Sequence, residues 1–162
     1  MRVLSTRGNN KFEFIVDDSD YNDVSLKPWY YLKGSTSRTS YIYTKNAKET
    51  IYLHRFLMKP NKGEIIDHIN GNGLDNRREN LRICTHSQNK MNRQANTGRN
   101  FKGVTFDKKE KRRKKWRAFI VKNGKCKTIG HYFTEIEAAN AYNNQATQLH
   151  GEYAKLNEVK ND

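Results

Sequence analysis

The sequence predicts an α+β chain in three parts: an antiparallel meander, a strand–loop–strand–helix finger, and a three-stranded sheet backed by one helix. Three observations predict it. Short runs rich in aromatic and β-branched residues recur through the first half, and one apolar run ending in Asp-His opens a Gly/Asn-rich loop near the middle. The last third alternates like strands and then switches to helical spacing.

The meander is read from residues 12–16, 29–33, 40–43 and 50–53, which Gly, Asn, Lys and Ser separate. Tyr30, Tyr31, Tyr41, Tyr43 and Tyr52 are expected to supply much of its packing. Asp18 can start a short helical turn by capping the backbone N–H groups that follow. In the finger, Ile65-Ile66-Asp67-His68 reads as one strand, residues 70–76 as a loop, and residues 81–84 as a second strand. Thr85 and Gln88 form a capping box, so a helix begins there with Asn89 near its first turn. In the last part, residues 102–105, 116–121 and 125–129 read as strands, with a tight hairpin at Asn123-Gly124. Thr134 and Glu137 form a second capping box. The helix after it places Ile136, Ala139, Tyr142, Ala146 and Leu149 on one face, and Gly151 ends it. The boundaries that follow are 1–53, 54–92, a polar linker at 93–100, and 101–158.

Charge narrows the function classes. Thirty-one Lys and Arg against seventeen Asp and Glu leave +14, a field that attracts polyanions. Residues 97–162 carry +8 of it. No stretch approaches the roughly 18–20 apolar residues needed to span a bilayer, and the polar residues 1–10 lack a signal-peptide core. A nucleic acid is therefore the expected partner, in a reducing cytoplasm. Hydrophobic residues make up 35%, too few for the large buried cavity of a metabolic enzyme. Cys84 and Cys126 form no CxxC pair, so no structural zinc is expected, and both read as packing residues.

The chemistry concentrates in residues 65–92. Adjacent residues at a strand end point to opposite sides, so one of Asp67 and His68 can hold a metal while the other faces a water. The wording DH–x–NGN–x–LDNR–x–ENLR–xxTHSQN resembles HNH endonucleases of the ββα-metal class, in particular phage homing endonucleases. The resemblance runs from His54-Arg55 through Asn92. It implies that Asp67 and Asn89 hold one divalent cation, that His68 is the general base, and that Asn80 braces the loop and orients His68 through a hydrogen bond. A hard ion such as Mg²⁺ or Mn²⁺ suits two protein oxygens, which leave sites for phosphate and water. Many HNH enzymes end the motif in His where Asn89 stands here, and His86 is the alternative ligand. His54 reads first as a core histidine and second as a phosphate contact. His131 and His150 read as fold residues.

Residues 101–157 carry a second resemblance. Phe101-Lys102-Gly103-Val104, Trp116-Arg117-Ala118, Ile129-Gly130-His131-Tyr132-Phe133, Glu137-Ala138-Ala139 and residues 150–157 (HGEYAKLN) are similar to the plant ethylene-response-factor (Apetala-type) DNA-binding domain. That family lays a three-stranded sheet in the major groove. Lys102, Arg117, Lys122, Lys125 and Lys127 become the expected strand contacts, with Lys in place of several Arg implying looser sequence reading. The run KKEKRRKKWR adds Lys108, Lys109, Lys111, Arg112, Arg113, Lys114 and Lys115 as a phosphate clamp. Together these readings imply a monomeric, metal-dependent nickase of double-stranded DNA from a phage or bacterial mobile element. A DNA-binding regulator with a relic finger is the alternative. A nuclease acting on RNA is disfavoured, because the narrow major groove of A-form RNA excludes such a sheet.

Overall fold

In the computed structural model, which describes residues 1–34, 39–95, 98–108, 113–122 and 124–159, an N-terminal hairpin pairs β1 (Arg2–Ser5) with β2 (Glu13–Val16). Strand β1 was absent from the sequence reading, since its residues are largely exposed and it exists through its partner. A 3-10 turn at Asp18–Asp20 and helix α1 (Tyr21–Ser25) follow. Asp18 does not cap them: its carboxylate takes the Met1 amino group and the Arg2 guanidinium instead. Asp17 holds the cap position without a side-chain cap bond, and its carboxylate accepts from the Arg78 backbone N–H at 2.8 Å.

A three-stranded antiparallel sheet comes next, β3 (Tyr30–Leu32), β4 (Tyr41–Lys45) and β5 (Thr50–Tyr52). The expectation that tyrosines form its packing needs correction. All five are half-buried, meeting in ring pairs such as Tyr30–Tyr43 and Tyr41–Tyr52, while Trp29, Ile42 and Thr44 are the buried residues here. Where the strand reading ran to residue 53, the chain turns into helix α2 (Leu53–Met58). Lys59 ends it at φ 45°, just before Pro60, which cannot continue a helix.

Strands β6 (Ile65–His68) and β7 (Leu81–Cys84) pair antiparallel, and helix α3 (His86–Asn92) follows directly. Both limbs of its capping box form: Gln88 N–H to Thr85 Oγ1 at 3.2 Å, and Thr85 N–H to Gln88 Oε1 at 2.8 Å. One core cluster joins Phe14, Val16, Val24, Trp29, Ile42, Leu53 and Leu57 to Ile66 and Leu81 of the finger. The chain accordingly divides as Met1–Asn89 and Lys90–Asp162.

In the second unit the sheet order is β10–β9–β8, from β8 (Val104–Phe106), β9 (Trp116–Lys122) and β10 (Lys125–Tyr132). Asn123 of the expected hairpin turn lies outside the described residues. Helix α4 (Glu135–His150) covers one face. Thr134 caps it through Glu137 N–H at 3.1 Å, and Glu137 Oε2 returns a bond to Phe133 N–H at 3.1 Å. Its buried residues are Ala138, Ala139, Tyr142, Ala146 and His150. Ile136 is exposed, so the covered face is shifted from the one read by periodicity. Gly103 makes the close sheet–helix approach possible: a Cβ there would sit 2.0 Å from the Tyr142 ring, at a φ of +71°. Among the described residues no helix is long and apolar enough to cross a membrane.

Candidate active site

The register of the β6–β7 hairpin sets the geometry of the finger. Asp67 pairs with Arg82 and His68 with Leu81, so the two adjacent residues face opposite sides of the ribbon. Both are buried, at 7% and 4% exposure. Asp67 Oδ2 accepts two bonds from Arg82, from Nε at 3.0 Å and Nη2 at 2.7 Å. Arg82 was not singled out in the sequence, although aligning Ile65 with Cys84 places it opposite Asp67.

Asn89 joins the Asp67 side through Cys84. Burial raises the Cys84 thiol above its usual range, the Asp67 charge adds to this, and the Asn89 backbone bonds to it. Asn89 is half-buried in the first turn of α3, its N–H bonded to Thr85 O at 3.0 Å. His86 is exposed and lines a groove with Gly63, Glu64 and Ile83.

The loop between the strands is a network of asparagines. Asn80 is 6% exposed; its Oδ1 accepts from Asn70 N–H at 3.0 Å, and its Nδ2 donates to Asn70 Oδ1 at 3.0 Å and to Asp75 O at 2.8 Å. The loop also docks on β2, with Ile15 N–H to Leu74 O at 2.9 Å and Asn76 N–H to Ile15 O at 2.8 Å. Gly73 lies so close to Ser40 O that a Cβ would approach it to 1.9 Å. Asp75 is paired with Arg77, whose hydrogen bonds hold its carboxyl below the usual range despite desolvation.

His68 Nε2 lies 3.3 Å from Asn76 Oδ1. Asn76 is fully buried, and sequence reasoning passed it over among the loop's several asparagines. Burial pushes the His68 imidazole below its ordinary pKa, against smaller raising effects from Asn76, Asp67 and Asp75. The ring is therefore neutral near pH 7, the form a general base requires. His54 packs edge-on against His68, ring centroids 5.2 Å apart, with Tyr41 and Tyr52 around it. Burial, with the charges of His68 and Arg55, brings the His54 pKa down to about 3, and its Nδ1 is buried without a hydrogen-bond partner.

Asp67 and Asn89 both carry side-chain oxygens, the donor type a hard cation prefers to a thiolate or imidazole cage. Among the described residues no three His, Cys, Asp or Glu side chains converge as a metal site. The ion would complete its sphere with water and phosphate.

This strand–loop–strand–helix arrangement coincides with a match to the HNH endonuclease family model over residues 59–91. Across 163 aligned residues the chain is 35% identical to an uncharacterised HNH endonuclease of Acanthamoeba polyphaga mimivirus, covering 97% of this chain and 80% of that protein. The chain belongs to the HNH endonuclease family. No solved structure matches it. The family places the chain among nucleases, and the HNH segment holds Asp67, His68, Asn80 and Asn89 together with Arg82.

The expected DNA-contacting residues of the second unit fall into distinct groups. Partners in register share a face, so Arg117 lies with Thr105 and His131 on the side away from α4. Its guanidinium sits 5.4 Å from the Phe119 ring, which Arg99 also approaches at 5.9 Å. Lys127 pairs with Ile120 and Lys125 with Lys122, which puts these three lysines on the α4 side at the hairpin end, all exposed. Lys102 is half-buried and donates to Met91 O, and burial beside Lys155 and Arg93 lowers its ammonium to about 8. Lys108 and Arg113 are exposed, as is Lys114, whose ammonium lies 5.0 Å from the Phe133 ring; Lys115 is half-buried. Lys109, Lys111 and Arg112 lie outside the described residues.

Proposed function

We propose that this HNH protein hydrolyses phosphodiester bonds in double-stranded DNA, with His68 as general base and Asp67 and Asn89 as ligands of a single Mg²⁺ or Mn²⁺. The observation that carries the reading is the buried His68 one residue from a buried carboxylate at the end of β6. His68 accepts the proton of a water as that water's oxygen attacks phosphorus. The P–O3′ bond breaks as this happens, leaving a 5′-phosphate and a 3′-oxygen that takes a proton from solvent water to become the 3′-hydroxyl. Asn76 and the ring contacts of His54 and Tyr41 orient the imidazole, and Asn80 keeps the loop that carries Asn76 in place. A bound cation supplies charge neutralisation at the scissile phosphate and the departing oxygen.

The sheet of the second unit is the duplex grip in this proposal, an Apetala-like module whose face away from α4 presents Arg117. A monomer with one such site nicks one strand per engagement. The test is a supercoiled-plasmid assay with Mg²⁺ or Mn²⁺. Open circles should form with the intact chain and not with EDTA or His68→Ala, while His68→Ala still shifts the plasmid on a gel. A plasmid that is bound but never cut under any metal favours a DNA-binding regulator.

A further inference from the structure

The Asp67 carboxylate, the anionic member of the cation pair proposed above, already holds a cation of the chain's own. Arg82 reaches it with two donors at 3.0 and 2.7 Å, and the two side chains are 11% and 8% exposed. A paired guanidinium and carboxylate in so dry a place interact far more strongly than at a surface. A divalent ion arriving at Asp67 meets a positive charge within hydrogen-bonding distance of the oxygen it needs.

We propose that Arg82 is an internal counter-ion which the catalytic metal displaces, and which then contacts the phosphate of the bound DNA. This inference rests on the reading of Asp67 as a metal ligand. The guanidinium cannot give up its two bonds to Asp67 at so little exposure without a replacement anion. Water reaches the site poorly, whereas a DNA phosphate brings a bidentate acceptor that matches the guanidinium fork. The duplex therefore supplies Arg82's second partner at the moment the metal takes its first. Two consequences follow. Metal binds weakly to the free protein, and metal and DNA strengthen one another's binding by the same factor, since such coupling is reciprocal. Arg82 thus links cation loading to the presence of substrate, and a chain without DNA keeps its finger closed on an ion pair.

The test is calorimetric titration of Mn²⁺ into the full chain, in a His68→Ala background that keeps the duplex whole, with and without a duplex oligonucleotide. Arg82→Gln should bind Mn²⁺ about tenfold more tightly than its parent when DNA is absent, and the duplex should tighten Mn²⁺ binding at least ~5-fold in the parent but barely in Arg82→Gln. Equal or weaker Mn²⁺ binding by Arg82→Gln without DNA would overturn the proposal. So would an unchanged duplex effect. Asp67→Asn separates the two levels: it should abolish Mn²⁺ binding, and if it binds as its parent does, the cation-site reading itself fails. A measurement on the unaltered chain guards against a misfolded variant. The Arg82 Nε–H resonance should shift as Mg²⁺ is added with DNA present, and a resonance unmoved at saturation would mean that Arg82 stays on Asp67.

Discussion

Asn80→Ala probes whether the asparagine network of the loop, rather than the two strands, sets the geometry of His68, the proposed general base. The substitution removes three side-chain bonds, two to Asn70 and one to Asp75 O. Asn70 is exposed, so water replaces its two bonds and each loss costs about 0.5–1 kcal/mol. Asp75 is 4% exposed, and its carbonyl left without a donor costs about 1–3 kcal/mol. The expected loss is ~2–5 kcal/mol, against the ~5–15 kcal/mol of a typical domain. Unfolding in urea can be read from Trp29, a core residue of the first unit, in a Trp116→Phe background that silences the second. Where the variant is still folded, the freed loop moves Asn76, 3.3 Å from His68 Nε2, and a displacement of ~1 Å lowers cleavage by about 10²-fold. Plasmid affinity should hold, since the grip lies in the other unit. A variant within ~0.5 kcal/mol of the parent, or a folded variant that nicks at the parental rate, would refute the role given to Asn80.

Gly103→Ala should unfold the second unit alone, because a Cβ at φ +71° would meet the Tyr142 ring at 2.0 Å; two separate Trp-resolved melts check this, with Trp29 unmoved. Arg117→Ala should weaken duplex binding by more than Lys127→Ala, since only Arg117 lies on the face away from α4; equal losses in a gel-shift titration at fixed salt would argue against that face. Stability should fall as the solution is acidified below pH 6.5, because the unfolded chain binds a proton at His54 that the folded chain refuses until about pH 3. The loss is about 1 kcal/mol between pH 6.5 and 5.5, with His68 adding in the same direction, and His54→Asn should flatten the slope in urea unfolding.

What could be read in advance follows from where each signal resides. Capping boxes are local, and those at Thr85 and Thr134 form as their spacing implies. Strand β6 was legible because its apolar residues run unbroken up to Asp67, and β7 because Leu81, Ile83 and Cys84 leave Arg82 as its one polar residue. By contrast β1 depends on a partner eight or more residues away, and α2 begins inside a run, Thr50 to Leu57, whose β-branched and aromatic residues suit a strand equally well. Asn76 could not be told from Asn70 and Asn72, since only the docking of the loop on Ile15 turns one of them inward. The lysines of the second unit illustrate a different limit. Strand placement and the resemblance mark Lys102 as a DNA contact, whereas its hydrogen bond to Met91 O is a tertiary fact. The side taken by Lys122, Lys125 and Lys127, by contrast, follows from strand alternation along β9 and β10.

The N-terminal region also acquires a role from the core it shares. A hairpin of two four-residue strands cannot stand alone in water, since a lone two-stranded ribbon is marginal at best. Here Ile66 and Leu81 enter a cluster whose other members come from β2, α1, β4 and α2, together with Trp29. The long loop is then stitched to β2 by backbone bonds to Ile15, and Arg78 is held by Asp17 and Asp20 beside α1. The buried polar groups at the end of β6, Asp67 and His68, are thus positioned by a platform formed by residues 1–53. Cutting the finger out at residue 54 would remove six of the nine buried residues of the core that holds β6 and β7, leaving only Leu57, Ile66 and Leu81. A minimal finger should therefore fail to fold, whereas residues 1–92 should keep both the Asp67–Arg82 pair and the His68–Asn76 contact.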